Sequence, residues 1–394
     1  MNHFHPSPDS RENIPEIEIT DLPESDDQPP GIQTWLKQRV LVWQRELARR
    51  PRLRRISSLF VFLLLASLVV GWGISNASLF VGARHAPSAT KPFIFPTRPA
   101  FNPYAYPTSS HPQAIYTGHQ GIVEDVAWSP DGTRFASGGQ DDTVQIWNIV
   151  TQTTLIYRGH TDEVVGIAWS PDGRYIASVS RDTTVQVWDA NTGARVWIYH
   201  DTVAVFSVAW SQSNLLAFGD EAAQVQIWNM QAHQLVRRLT GHQAPVVALS
   251  WSPDSRRLAT GSMDFTARIW QVSTGRTLRV YSHGDVVSTL AWSPDGKYIA
   301  SGSYDTTVQV WNPATGQRLI DYQDHRDAVY GLSWSPDGTQ IASAGGDGMV
   351  QVWKLNGQHI ITYFLSSTCV SWSSNGQLLA VGDENGQVAL WHVS

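Results

Sequence analysis

Histidine, serine and aspartate recur together in this chain, and that combination can do chemistry. His119, Ser137 and Asp141 form one set, and His160, Ser178 and Asp182 form a second. His242, Thr260 and Asp264, then His283, Ser301 and Asp305, then His325, Ser343 and Asp347 repeat the order. An imidazole between a hydroxyl and a carboxylate is the arrangement that activates a nucleophilic serine. A catalytic site is single, however, and five copies point to architecture. The other searches for chemistry are empty: there is no GxxxxGK phosphate loop, no HExxH, and no Asp-Gly turn that continues as a calcium loop. His3 and His5 make a poor metal site. The one cysteine, Cys369, has no His and acid at motif spacing and reads as a small buried apolar residue. No catalytic residue, metal, cofactor or small-molecule substrate is therefore expected.

The residues around these sets say what positions them. Trp128, Trp169, Trp210, Trp251, Trp292, Trp334 and Trp372 form one series, and Trp147, Trp188, Trp228, Trp270, Trp311, Trp353 and Trp391 form another. Each recurs every 38–42 residues, seven times. Within a unit an apolar run ends at the first Trp, a turn follows that is most often Ser-Pro-Asp-Gly, and two further short strands lead to the second Trp. Pro pre-sets such a turn and Gly supplies backbone angles that other residues avoid. Short alternating strands at even spacing mean an all-β architecture, and a period near 40 residues means a propeller blade.

At this point residues 114–394 resemble the WD-repeat family. Gly118-His119, Gly159-His160 and Gly241-His242 match its Gly-His pair, while His283 and His325 hold the same place without the Gly. The literal Trp-Asp ending occurs at Trp188-Asp189. Asp141, Asp182, Asp264, Asp305 and Asp347 each lie six residues before the second Trp. The resemblance implies an all-β, seven-bladed WD-repeat β-propeller. It also implies that each His, its Ser or Thr, its Asp and the second Trp (Trp147, Trp188, Trp270, Trp311 or Trp353) form a buried hydrogen-bond tetrad rather than a catalytic site. Such a network is kept complete or discarded, because an unpaired member is costly in low dielectric. Blade three, with Asp201, Phe218 and Ala222, and blade seven, with Tyr363, Val381 and Asn385, discard it. Each repeat should supply the outer strand of one blade and the inner three of the next. The last repeat stops three residues after Trp391, so Ala114–Thr117 should complete blade seven.

The same resemblance places two positions per blade on the partner-binding face. One set reads Glu124, Val165, Phe206, Val247, Ser288, Tyr330 and Thr368; the other reads Gln140, Arg181, Glu221, Met263, Tyr304, Gly346 and Glu384. Phe206, Val247, Met263, Tyr304 and Tyr330 should form one apolar arc, with Arg181 within it and Glu124, Gln140 and Glu384 beside it. Aromatic and Met side chains are interface-forming types. A protein partner with one basic end would suit.

Upstream of the repeats the chain changes character several times. Residues 1–30 carry one Arg against eight acids and read as an acidic disordered tail. Residues 31–55 carry eight Lys or Arg against Glu46, and Trp35, Val42 or Trp43, and Leu47 fall roughly at helical spacing, which suggests a short amphipathic helix up to Arg50. No charge occurs between Arg55 and Arg84, so residues 56–81 read as a single transmembrane helix. Eight basic residues lie in 36–55 and three in 82–101, which puts the N-terminus in the cytoplasm and the propeller outside it. Cleavage near Ser75-Asn76-Ala77 is the rival reading, disfavoured by the 55 residues ahead of the run. Residues 82–113, with seven prolines, read as an extended stalk.

Residues 114–394 hold 16 basic and 25 acidic groups, which argues against nucleic acid as a partner. The function expected is that of a membrane-anchored scaffold that binds other proteins. The alternatives are a sensor passing an extracytoplasmic binding event to a cytoplasmic partner, or an enzyme using the propeller channel as its pocket.

Overall fold

A computed structural model of the chain describes residues 108–109 and 111–393. Every regular element among them is a β-strand, arranged in seven successive sheets. Blade one is Val123–Trp128, Arg134–Gly139, Val144–Asn148 and Thr153–Tyr157. Blade two is Val164–Trp169, Tyr175–Ser180, Thr184–Asp189 and Arg195–His200. Blade three is Val205–Trp210, Leu215–Asp220, Gln224–Asn229 and Gln234–Thr240. Blade four is Val246–Trp251, Arg257–Ser262, Thr266–Gln271 and Arg276–Ser282. Blade five is Val287–Trp292, Ile299–Ser303, Val308–Trp311 and Arg318–Tyr322. Blade six is Val329–Trp334, Gln340–Gly345, Met349–Lys354 and His359–Phe364. Blade seven is Ser367–Trp372, Leu378–Asp383, Gln387–His392 and, from the other end of the repeats, Ala114–Thr117.

The turns follow from their residues. In blade one the Gly132 N–H donates to the Ser129 carbonyl, and the Asp131 carboxylate accepts from the Thr133 N–H. Gly132 sits at φ 69°, where a side chain is strained. Blade four places Ser255 at this position, at φ 56°.

No single core holds the ring. Seven apolar clusters fill the spaces between neighbouring blades. Four members of the first Trp series staple blade to blade, while the indole N–H groups of Trp210, Trp292 and Trp372 have no partner. The indole N–H of Trp169 donates to the Ala127 carbonyl at 3.0 Å, Trp251 to Ala209 at 3.1 Å, and Trp334 to Ala291 at 3.1 Å. Trp128 donates to Ser371 at 3.1 Å, joining blade one to blade seven. Arg134 lies over Trp169 and Arg257 over Trp292, each at under 5 Å, adding cation–π contacts across the same gaps. Cys369 is buried in the seven-to-one gap, and burial pushes its thiol far above the usual range.

The closing strand pairs Ala114 with Leu390, Ile115 with Ala389, Tyr116 with Val388 and Thr117 with Gln387, all antiparallel. It covers an edge that would otherwise be open to another chain. The pairing also reaches upstream of Ala114. Thr108 and Ser109, in the segment expected to be stalk, run parallel to the outer strand of blade six. The acidic tail, the basic segment, the transmembrane helix over 56–81 and most of the stalk lie outside the described residues. Among the described residues no helix is long and apolar enough to cross a membrane.

Candidate functional site

The five His–Ser/Thr–Asp sets come together in space. In blade two the Asp182 carboxylate accepts from His160 Nδ1 at 2.9 Å, and His160 Nε2 meets Ser178 Oγ at 2.8 Å. The Trp188 indole N–H donates to the same Oγ at 3.3 Å. A carboxylate only accepts, so Nδ1 carries a proton and donates to it. Blade four repeats this through His242, Asp264, Thr260 and Trp270, with the indole at 2.9 Å. Blade five does so through His283, Asp305, Ser301 and Trp311, and blade six through His325, Asp347, Ser343 and Trp353. The atoms are ordered as in a catalytic triad, but Ser137, Ser178, Thr260, Ser301 and Ser343 are all 0% exposed. No substrate reaches those hydroxyls.

Blade one departs from the expected tetrad. His119 bonds Asp141 at 2.9 Å and Ser137 at 2.8 Å, but the Trp147 indole N–H has no partner. The residue paired across from Trp147 also differs from the other blades. It is Phe135, and the two rings lie parallel at 6.2 Å. In the other four blades Ile176, Leu258, Ile299 or Ile341 stands there.

Burial opposes ionisation of Asp141, Asp182, Asp264 and Asp305. The hydrogen bonds from histidine and threonine outweigh it and hold these carboxyls well below the usual range. The same balance, with His325 as the main partner, lowers Asp347. Asp125 behaves oppositely. Burial pushes its carboxyl up to about 7, although it accepts from the N–H of Val126 and, across the blade gap, of Ile167.

The candidate binding face is built by a repeated irregularity. In every blade the pairing of the first two strands skips one residue. Val123 pairs with Gly139 and Asp125 with Gly138, leaving Glu124 unpaired. The residues skipped in the other blades are Val165, Phe206, Val247, Ser288, Tyr330 and Thr368. A β-bulge re-aims a side chain out of the ladder. The second set is tied to the first through the backbone. The N–H groups of Gln140, Arg181, Glu221, Met263, Tyr304, Gly346 and Glu384 donate to Ile122, Glu163, Ala204, Pro245, Val286, Ala328 and Ser366, each two residues before the bulge residue.

The side chains around this ring differ in availability. Tyr330 is 37% exposed and Met263 41%, while Phe206, Val247 and Tyr304 are half-buried. Tyr304 and Tyr330 meet edge-on at 5.7 Å across the gap between blades five and six. Arg181 is paired with Glu163 at 3.1 Å and lies over Phe206 at 6.0 Å. Gln140 donates to Glu124 at 3.0 Å. Ser288 and Thr368 turn inward, donating to the Val329 and Val123 carbonyls of the next blade.

A profile for the IFT122 first beta-propeller matches residues 108–279. The WD domain, G-beta repeat profile matches residues 275–312, 316–354 and 360–392. The domain is a seven-bladed propeller of WD40 repeats. Among curated relatives, the Periodic tryptophan protein 2 homolog of Neurospora crassa is 46% identical over 48 residues, 12% of this chain and 5% of that protein. The Guanine nucleotide-binding protein subunit beta of Oryza sativa subsp. indica is 38% identical over 71 residues, 18% of this chain and 19% of its own. The Poly(A)+ RNA export protein of Schizosaccharomyces pombe is 33% identical over 76 residues, 19% of this chain and 22% of its own. The matched part is thus between 5% and 22% of these relatives' length.

Two features of this WD40 propeller escaped the sequence reading. First, a Tyr from the outer strand of one blade stacks on the second Trp of the next: Tyr157 on Trp188, Tyr281 on Trp311 and Tyr322 on Trp353, at 4.3–4.6 Å. The Tyr157 and Tyr322 hydroxyls donate to Gln186 and Gln351. The signal was present, since Tyr116, Tyr157 and Tyr322 each stand three residues before the tetrad His. Second, the two blades without a tetrad carry a substitute. Asp220 and Asp383, both buried, cap their turns by accepting from the N–H of Gln224 and of Gln387.

Proposed function

We propose that this WD40 propeller is a protein-interaction scaffold that holds partners on its ring of bulges, along the arc from Phe206 to Tyr330. The observation that carries this reading is the seven-fold bulge. The backbone is the same in every blade, yet the residues it presents vary in type around the ring. A repeated frame with unrepeated side chains is what a specific recognition surface needs. Glu124 and Glu384 flank the arc and suit a partner with a basic end. One relative's name supports the same reading, since a subunit is defined by what it assembles with. Nucleic acid is not part of this reading, because acids outnumber basic groups in the domain. Anchoring through residues 56–81, with the propeller outside the cytoplasm, completes it and rests on the apolar run and its basic flank.

The test uses partners first identified by crosslinking to the intact protein. Replacing Tyr304 and Tyr330 together by Ala should leave the thermal transition in place and weaken capture of those partners by about 2 kcal/mol or more if they are anchor residues. A folded double variant that binds them with unchanged affinity would move the site to another face.

A further inference from the structure

One sector of this acidic propeller is basic. Residues 231–284, which include the outer strand of blade three and all of blade four, hold seven Arg and two Asp. The rest of residues 114–394 holds nine basic and 23 acidic groups. Arg237 and Arg238 stand on the outer strand of blade three, and Arg276 and Arg279 on that of blade four. Among the described residues only Arg268, of the seven, has a carboxylate within 4 Å, that of Asp264 at 3.9 Å. Arg237 and Arg279 spend one nitrogen each on a carbonyl of the following blade, Ser273 and Ala314, which fixes them across the blade gaps. Arg238, Arg256 and Arg276 are exposed.

A cavity of about 320 Å³ opens in this sector, lined by Ser255, Arg256, Gln271, Val272 and Ser273. Ser255 is only 7% exposed, and its hydroxyl has no hydrogen-bond partner. It stands where blades one, two, five, six and seven have Gly132, Gly173, Gly296, Gly338 and Gly376, so the fold does not ask for a hydroxyl there. Arg237 Nε, on the outer strand of blade three, is likewise buried and unpartnered.

Edge protection does not account for these arginines. Charged side chains do blunt open sheet edges. Yet the outer strands Thr153–Tyr157 and Ala114–Thr117 carry no charge at all. We propose that the outer rim of blades three and four docks an acidic, extended segment of a separate protein, one carboxylate of which seats against Ser255 and Arg256. Exposed Leu235, Val236 and Val280 lie on the same two strands and supply aliphatic contact between the charges. No exposed aromatic on those strands offers the stacking platform that single-stranded nucleic acid uses.

The full chain, held in neutral phosphatidylcholine nanodiscs, is titrated with a fluorescein-labelled peptide of about 15 residues alternating Glu with Val, about 50 Å long when extended. Binding should weaken with added salt and vanish when Gln replaces Glu. The Arg238→Glu/Arg256→Glu/Arg276→Glu variant, whose sites carry no inter-blade bond, should bind about tenfold or more weakly. Ser255→Gly restores the residue other blades use, cannot strain the turn, and should weaken binding severalfold with no loss of thermal stability. Failure of the peptide to bind, or equal binding by both variants, overturns the proposal. So does a rim that ignores the peptide but takes up anionic vesicles (phosphatidylcholine and phosphatidylglycerol at about 3:1) or an oligouridylate through the same arginines. The bulge-face reading is untouched by any of these results, since Tyr304 and Tyr330 are unchanged in every variant.

Discussion

Trp147 and Trp270 occupy the same register in blades one and four, yet only Trp270 holds a hydroxyl, that of Thr260. Replacing each by Phe should therefore separate them. Trp270→Phe removes a buried hydrogen bond and should cost about 1 kcal/mol more than Trp147→Phe in urea denaturation. Equal losses would mean that the indole bond contributes nothing. Asp182→Ala strips His160 and the turn N–H groups of their acceptor and should cost about 1–3 kcal/mol. An unchanged melting temperature would reopen a chemical role for the set. The carboxylates also predict how stability responds to pH. The tetrad aspartates have lowered pKa values, so their contribution is present above the unfolded value of 3.8 and is lost as pH falls below it. Asp125 has the opposite sign. Raised to about 7, it binds its proton more tightly in the folded state, so stability linked to it declines as pH rises from 3.8 through 7. Asp125→Asn should flatten the melting temperature across that interval; a slope identical to that of the wild type would rule the residue out as its source.

At the scale of strands, the ring is closed by four residues from the opposite end of the repeats. Ala114–Thr117 supplies the fourth strand of blade seven, and Tyr116 from that strand donates to Gln145 of blade one. Removing it leaves the ladder edge of Gln387–His392 open and takes a ring from the gap beside Trp147. A chain starting at Gln120 should melt several degrees below one starting at Thr108 and aggregate sooner through the open edge. Coincident melting curves would show that the clasp carries no stability. The parallel pairing of Thr108 and Ser109 with blade six makes Thr108 the better upstream limit for such a comparison.

For the whole molecule the proposed anchor over residues 56–81 carries a prediction about which side of a membrane the propeller stands on. Eight basic residues before the apolar run against three after it set the expected orientation. Protease added to right-side-out vesicles should digest the propeller and spare residues 1–55. Protection of the propeller until the vesicles are opened would reverse the assignment. Scale also bears on partners. The bulge ring and the arginine rim are separate surfaces, one on the inner strands and one on the outer strands of blades three and four. A scaffold using both would hold two partners at once.

Much of this was written in the sequence, for reasons of period and chemistry. The two Trp series mark the ends of the first and third strands in every blade, because a strand buried against neighbours on both sides needs a large apolar anchor at a constant place. The closing strand was legible from arithmetic, since the final repeat lacked an outer strand that Ala114–Thr117 could supply. Other features were decided only when chains of contacts closed in three dimensions. That Trp147 misses Ser137 while facing Phe135 across the ladder is a matter of register and packing rather than of local sequence. That Asp125 accepts from the N–H of Ile167, 42 residues away in the next blade, is decided by how the blades pack. The bulges themselves have no sequence signature, since Glu, Val, Phe, Ser, Tyr and Thr all occupy the skipped position. They arise because neighbouring strands of unequal local length must pair, which is a property of the assembled sheet. The arginine rim was visible as composition, but its meaning came from the cavity at Ser255.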